Sequence, residues 1–193
     1  EEARAEAEVL LQVQTQIISP RYGLSIIGCN QDAITGNYIL SKYLQLTREN
    51  AVDLLAMIGV EDFSRLPNKK SISGQEVFSV LLPEDVSCKG EKRTKEPVVM
   101  KDGQLIDGYM DKANLGEGAG LMLRNIHKRY GEDRALDILG KFYRLGTQTL
   151  LLYGFSFEYS DIVLDDTSEK AVHDVIEKAQ DDVDKLIKKY EDG

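Results

Sequence analysis

The spacing of apolar residues changes near residue 118, and this change most limits the folds that the chain can adopt. Before that point, short β-prone runs alternate with short helical patterns. After it, only helical spacing occurs, over about 120–130, 132–153 and 168–190. The sequence therefore predicts an α+β fold, with short strands and helices in the N-terminal part and a helical C-terminal part.

The last predicted helix has one apolar face. Its stripe consists of Val172, Val175, Ile176, Ala179, Val183, Leu186, Ile187 and Tyr190. The opposite face carries the i,i+4 pairs Asp181/Lys185 and Asp184/Lys188. The pattern indicates a helix that exposes one face to water and offers the other for packing.

Shorter helices are predicted in the N-terminal part. One covers 3–14, and another covers 32–44 despite the cost of an internal Gly36. Its inward residues are predicted to be Ile34, Tyr38, Ile39 and Leu44. A third helix follows Thr47 and ends at Gly59, with a stripe formed by Ala51, Leu54, Leu55 and Ile58. A fourth begins at the capping box Ser73-Gly74-Gln75-Glu76 and runs to Leu81.

The clearest strand signal is a hairpin. Two β-prone arms, 98–101 and 104–106, flank the turn Asp102-Gly103. A second turn, between Pro20 and Gly23, separates the short β-prone runs 17–18 and 25–27. The polar stretch 84–97 between the capping-box helix and the hairpin is predicted to be a solvated loop, which a protease would cut first.

Charge and composition exclude several classes of protein. There are 24 Lys and Arg against 33 Asp and Glu, a net charge of −9, which argues against the chain alone wrapping DNA or RNA. No run of about 18 apolar residues and no leader pattern is present. The start without Met, inside a helical pattern, is interpreted as a cut from a larger protein. Cys29 and Cys88 are too few for a zinc site and are expected to be two thiols, with one disulfide as the alternative.

Several residues are weak candidates for a site. Gly116, Gly118 and Gly120 precede a helix and either cradle a phosphate or form a flexible helix start. His127 and His173 are each isolated on helices, which is more typical of surface residues than of catalysts.

Two charged stretches complete the candidates. The cluster Asp161, Asp165 and Asp166 lacks the ligand order of a calcium loop, and Asp165 and Asp166 are better explained as helix N-terminal charges. The basic residues of 89–95 are mixed with acidic ones, which indicates a solvated loop rather than a nucleic-acid contact.

A series of short strings resembles the largest subunit of multisubunit DNA-dependent RNA polymerase, in its archaeal form and also in eukaryotic nuclear enzymes. In chain order they are Glu1-Glu2-Ala3-Arg4-Ala5-Glu6-Ala7, Gln16-Ile17-Ile18-Ser19-Pro20, Gln31-Asp32, Gly36, Ser73-Gly74-Gln75, Leu82-Pro83, Asp102-Gly103-Gln104-Leu105-Ile106, Gly108, Gly154-Phe155-Ser156 and Ser160-Asp161. The resemblance spans essentially the whole chain.

The resemblance implies a map of the chain. Residues 1–32 would be the tail of the active-site region, 33–118 the pore region and 119–193 the start of the funnel. Pore and funnel form the secondary channel of that family, through which nucleoside triphosphates enter and where the displaced RNA 3′ end and transcript-cleavage factors bind. The implied location is the cytoplasm, at the nucleoid, among the other polymerase subunits and away from membranes.

The resemblance also implies what the chain lacks. The aspartates that hold catalytic Mg²⁺ would lie before Glu1, so no catalytic residue and no bound cofactor are expected here, and the isolated chain should be inactive. Lys112 matches the first of two adjacent pore-lining lysines that are common in the family, whereas Ala113 replaces the second and halves the local charge. Lys112 is expected on a mobile segment, either reaching into the channel or resting on its rim beside Asp111.

The residues themselves, apart from the resemblance, leave other functions open. One is a stand-alone interaction module whose C-terminal helices bind a partner protein. Another is a small enzyme that binds phosphate at the loop from Gly116 to Gly120.

Overall fold

The structure is a computed structural model, and it describes residues 1–89, 97–118 and 121–192. The chain divides into two compact units, Glu1–Gly154 and Phe155–Gly193. Among the described residues, no helix is both long enough and apolar enough to cross a membrane.

The first unit combines seven helices and five short strands within its described part. The helices are α1 (Glu2–Leu10), α2 (Gln31–Tyr43), α3 (Arg48–Met57), α4 (Gly74–Val80), α5 (Lys112–Leu115), α6 (Leu121–Tyr130) and α7 (Glu132–Tyr153), with a 3₁₀ turn at Val13–Gln16. The strands are β1 (Gln45–Thr47), β2 (Ser71–Ser73), β3 (Cys88–Lys89), β4 (Val99–Lys101) and β5 (Gln104–Asp107). Strands β1 and β2 form an antiparallel pair, and β3, β4 and β5 form an antiparallel sheet in that order. The predicted α+β fold is confirmed.

Local signals in the sequence placed several element ends correctly. The Thr47 hydroxyl accepts a hydrogen bond from the Asn50 amide at 3.2 Å and caps α3. At α4 the predicted capping box forms, with Ser73 and Glu76 each bonding the other's backbone amide. These caps satisfy amides that a helix cannot pair internally, so both starts are fixed by the sequence nearby.

The hairpin forms as predicted, and it gains a third strand. Asp102 (φ +50°) and Gly103 (φ +67°) both occupy the left-handed region that a two-residue turn of this kind requires. The predicted loop 84–97 is wrong at Cys88–Lys89, because these residues pair with β4 as strand β3. Residues 90–96 of that loop, with Lys92, Arg93 and Lys95, lie outside the described residues.

The inward face of α2 differs from the prediction. The buried residues are Ala33, Gly36, Asn37, Leu40 and Ser41, whereas the larger apolar side chains predicted to point inward are only partly buried. The reason is the close approach of α7: a Cβ on Gly36 would lie 1.9 Å from the Gly146 carbonyl oxygen. Small side chains face α7 because larger ones would hold the two helices apart.

Helices α6 and α7 belong to the same compact unit as the strands, although the apolar spacing changes near residue 118. Phe142 of α7 stacks on Phe78 of α4, with 4.7 Å between ring centroids. The Asn37 side-chain amide donates to the Phe142 carbonyl oxygen at 2.7 Å. Helices α2, α4 and α7 therefore share one core. The first unit extends past the change in apolar spacing near residue 118, as far as Gly154.

The second unit contains a 3₁₀ turn at Tyr159–Asp161 and one long helix, α8 (Asp166–Glu191). All of its described residues are exposed, including the apolar stripe that the sequence places on α8. The expected pairing of Lys185 with Asp181 is replaced by an ion pair with Asp182 at 3.5 Å.

Candidate functional site

The segment Gly108–Gly116 follows β5 and carries Lys112. The Gly108 carbonyl oxygen accepts from the Gln75 side-chain amide at 2.8 Å, and the Met110 amide donates to the Ser41 hydroxyl at 2.9 Å. At the other end, the Leu115 carbonyl oxygen accepts from the Cys29 amide at 2.8 Å. Contacts on both sides of Lys112 therefore tie the segment to the first unit, whereas the sequence predicted a mobile segment, and the mobility itself stays a prediction.

Lys112 is the first residue of α5, and its side chain is exposed. The neighbouring Asp111 carboxylate caps α5 by accepting from the Asn114 amide at 3.1 Å and from the Asn114 side chain at 2.6 Å. The ion pairs found among the described residues do not include one between Lys112 and Asp111. Lys112 is therefore an exposed cation at the start of a short helix, and the neighbouring Asp111 carboxylate is hydrogen-bonded to Asn114 rather than paired with Lys112.

A cluster of one lysine and three tyrosines lies beside this segment, and we call it the Lys42 cluster. It consists of Lys42, Tyr38 and Tyr43 on α2 with Tyr109 of the segment. Sequence analysis missed it because Tyr109 comes from a distant part of the chain. Only the i,i+4 spacing of Tyr38 and Lys42 was visible in the sequence.

A second residue that sequence analysis missed is Arg65, which fastens the hairpin turn to the end of α4. Its guanidinium donates to the Gly103 carbonyl oxygen at 2.8 Å and also to the Leu82 carbonyl oxygen. Arg65 thus fixes the turn of the hairpin that leads into the segment carrying Lys112. No local pattern in the sequence indicates this role, because both acceptors are backbone oxygens of residues that are distant from Arg65 in the sequence.

The glycines before α6 lie where two chain segments pack closely together. The Gly116 and Gly118 amides donate to the Lys112 carbonyl oxygen at 2.8 Å and to the Ser25 carbonyl oxygen at 2.9 Å. A Cβ on Gly28 would lie 2.4 Å from the Glu117 amide nitrogen, so the two chain segments meet backbone to backbone. The phosphate hypothesis fails at Gly116 and Gly118 because both amides are already paired, and Gly120 lies outside the described residues.

The acidic cluster of the second unit forms helix and turn caps. The Asp165 carboxylate accepts from the Ser168 amide at 2.8 Å, and the Asp161 carboxylate accepts from the Glu158 amide at 2.8 Å. The hydrogen bonds with Ser168 lower the pKa of Asp165 below its ordinary value. The structure thus confirms the helix N-terminal role for Asp165, while Asp166 occupies the first turn of α8.

The histidines and cysteines do not assemble into a metal site. Among the described residues, no three His, Cys, Asp or Glu side chains gather closely enough to hold a metal ion. Half-buried His127 lies on α6 and exposed His173 on α8. Both cysteines are free thiols, as expected, and burial raises the pKa of Cys29 to about 12.

Comparison with known proteins matches this chain to transcription proteins. The family model described as RNA polymerase Rpb1, domain 3, matches residues 16–162, which include the segment carrying Lys112 and the Lys42 cluster. The whole chain is 34% identical to DNA-directed RNA polymerase subunit Rpo1N of Halobacterium salinarum and 35% identical to that of Methanocaldococcus jannaschii. It is 31% identical to that of Methanococcus vannielii. The chain covers 20%, 16% and 24% of these relatives, respectively, and so spans about a fifth of their length.

Proposed function

The chain belongs to the RNA polymerase Rpb1 domain 3 family, and we propose that it forms part of the pore and funnel of a DNA-directed RNA polymerase. In this proposal residues 1–32 end the active-site region, 33–118 form the pore, and 119–193 begin the funnel. Nucleoside triphosphates pass along this surface, and the displaced RNA 3′ end and a transcript-cleavage factor bind there. The other polymerase subunits are its permanent partners, and the complex works at the nucleoid in the cytoplasm.

The observation that carries the proposal is the presentation of Lys112 within the matched region. An exposed ammonium group attracts phosphate, and hydrogen bonds on either side of it limit how far its backbone can move. Because Asp111 is engaged as a helix cap, the cation keeps its charge available for an anion. Exposure to water and salt limits the attraction to about 1 kcal/mol or less.

The direct test reverses the charge in the assembled polymerase. Lys112→Glu is expected to weaken apparent nucleotide affinity or to slow cleavage of backtracked RNA by a few-fold, up to about tenfold. Lys112→Ala should have a smaller effect, and both effects should shrink at high salt. Elongation rate against nucleotide concentration at two salt concentrations, together with a cleavage assay, measures both.

Lys70→Glu supplies the matched control, because Lys70 is also exposed but lies outside the segment that carries Lys112. The control should behave like the parent enzyme. If Lys112→Glu also behaves like the parent in both assays at low salt, Lys112 is a rim residue and its pore-lining role is lost.

The chemistry of nucleotide addition is expected to come from outside this chain. The family resemblance implies that an aspartate loop in another part of the polymerase's largest subunit holds Mg²⁺, and the described residues offer no cluster that fits the ion. When bound, that ion supplies the charge stabilisation that phosphoryl transfer needs. We therefore expect the isolated chain to give no extension with template, primer and magnesium, whereas template-directed extension would show that the active site has been misassigned.

A second candidate is an interaction module that uses the apolar stripe of α8, because that stripe is exposed in the structure. Hydroxyl-radical footprinting of α8 separates the two functions. Protection that appears in the assembled polymerase supports the first proposal. Protection by a partner that does not belong to the polymerase supports the second.

A further inference from the structure

The Lys42 cluster gathers a cation and three aromatic rings at one point of the surface. The Lys42 ammonium nitrogen lies 4.8 Å from the ring centroid of Tyr38, 5.3 Å from that of Tyr43 and 4.5 Å from that of Tyr109. It also donates a hydrogen bond to the Tyr38 hydroxyl at 2.5 Å. The Tyr38 ring meets the Tyr109 and Tyr43 rings edge-on, at centroid distances of 4.9 and 6.1 Å.

This arrangement keeps the charge of Lys42 available. Lys42 is exposed, and the ion pairs found among the described residues contain no carboxylate bound to it. The hydrogen bond with the Tyr38 hydroxyl raises the pKa of Lys42 above its ordinary value. Aromatic faces attract an ammonium group without cancelling its net charge, so an approaching anion still meets a full positive charge.

The cluster is also close to Lys112. Tyr109 precedes Lys112 by three residues, a stretch that spans at most about 11 Å. The Met110 amide between them donates to the hydroxyl of Ser41, the residue before Lys42. Lys42 and Lys112 therefore lie on two chain segments that this hydrogen bond joins.

We propose that the Lys42 cluster is a contact site for single-stranded RNA, with Lys42 binding a phosphate and the exposed Tyr43 ring stacking on a base. Grooves that bind single strands combine cations for the backbone with aromatic side chains for the bases, because an unpaired base offers a free face. A peptide carboxylate would use the cation and leave the rings unused. This inference rests on the proposed function, which brings an RNA 3′ end to the same segment.

The test uses the assembled polymerase stalled with a transcript that is backtracked by one to four nucleotides. A single 4-thiouridine at the RNA 3′ end serves as the photo-cross-linking probe. At one or more of these positions, the adduct is expected within residues 38–43 or 109–112. Adducts that fall only elsewhere in the complex overturn the proposal.

Two exposed positions are then changed, Lys42→Gln and Tyr43→Leu. Loss of one stacked base should reduce the cross-link by about fivefold or more in Tyr43→Leu, and loss of the cation should reduce it a few-fold in Lys42→Gln. Tyr143→Leu is the control, because Tyr143 is also an exposed tyrosine, at 46%, and lies on α7 outside the Lys42 cluster. The control should keep the parent cross-link within about twofold.

The outcomes separate this inference from the function on which it rests. If Lys112→Glu impairs elongation or cleavage but Lys42→Gln and Tyr43→Leu behave like Tyr143→Leu, the RNA contact is overturned and the proposed function stands. If the two cluster variants lose the cross-link while Lys112→Glu is silent, the RNA contact is supported and the role of Lys112 fails. Loss of cleavage-factor binding with an unchanged RNA cross-link would assign the surface to a protein and overturn the proposal.

Discussion

Helices α3 and α8 carry the same kind of amphipathic pattern, but only one of them has a covered apolar face. Leu54 of α3 is 0% exposed, whereas Leu186 of α8 is 65% exposed. The first unit surrounds α3 with other elements, while every described residue of the second unit is exposed. An amphipathic sequence thus determines which face of a helix is apolar, and the rest of the structure determines whether that face contributes to stability.

The largest effect should come from closing the space between α2 and α7. A Cβ on Gly146 would lie 2.1 Å from the Ala33 carbonyl oxygen, so Gly146→Ala must push two backbones apart. We expect a loss of about 5 kcal/mol in the free energy of unfolding of the first unit, because backbone rather than the end of a flexible side chain must move. Chemical denaturation of the chain, followed by circular dichroism and by Phe or Tyr fluorescence, measures it.

Gly140→Ala on the same helix is the control. Its new Cβ would meet only the end of the Arg144 side chain, at 3.7 Å, so the helix should gain about 0.5–1 kcal/mol from the better helix former. Equal effects of the two substitutions would show that α2 and α7 are not in close contact.

The next effect compares the two units directly. Leu54→Ala removes a fully buried side chain and should cost about 2–5 kcal/mol, whereas Leu186→Ala should stay within about 0.5 kcal/mol. Urea unfolding of both variants under the same conditions gives the two values. A loss at Leu186 as large as that at Leu54 would mean that the α8 stripe is covered in solution.

Sequence analysis succeeded where a structure depends on neighbouring residues. The Ser73–Glu76 box, the Thr47 cap and the Asp102-Gly103 turn each need only a few consecutive positions, so their signals are complete in the sequence. The bounds of α6 and α7 were also predicted, because the helical spacing of apolar residues is a pattern within one stretch of the sequence. These elements account for most of the correctly predicted fold.

It failed where the partner is distant in sequence. The inward face of α2 was misassigned because its packing depends on Gly146, which lies 110 residues after Gly36. Arg65 and the Lys42 cluster were missed because their partners lie on other segments. Lys112 was singled out by family resemblance rather than by any physical signal, and its function stays a prediction.

A smaller effect concerns acids at helix starts in the two units. Partial burial raises the pKa of Glu76, but the hydrogen bonds from Lys69 and Ser73 outweigh burial and hold the pKa below its ordinary value. The folded form therefore gains stability from ionised Glu76 above about pH 4.5, and it loses that stability as the pH falls through the lowered pKa.

Glu76→Gln should flatten this pH dependence and cost about 1 kcal/mol or less at pH 7, since the side chain is partly exposed. Urea unfolding between pH 7 and pH 3 measures it. For Asp165, whose pKa is also lowered, the same fall in pH should reduce the helix content of α8 without changing the unfolding of the first unit. If the unfolding free energy of Glu76→Gln varied with pH in the same way as that of the parent, the capping box would not be the source of this pH dependence.

The first unit is a stable platform that holds the segment carrying Lys112, whereas α8 gains little stability from packing. Amide hydrogen exchange measured residue by residue on this chain tests it most directly. The Met110 and Cys29 amides, which donate to the Ser41 hydroxyl and the Leu115 carbonyl oxygen, should exchange only when the first unit unfolds. Amides in the middle of α8 should exchange much faster, through local opening of that helix. If the Met110 and Cys29 amides exchange as fast as those of α8, the segment is not held and the account of Lys112 as a fixed cation is contradicted.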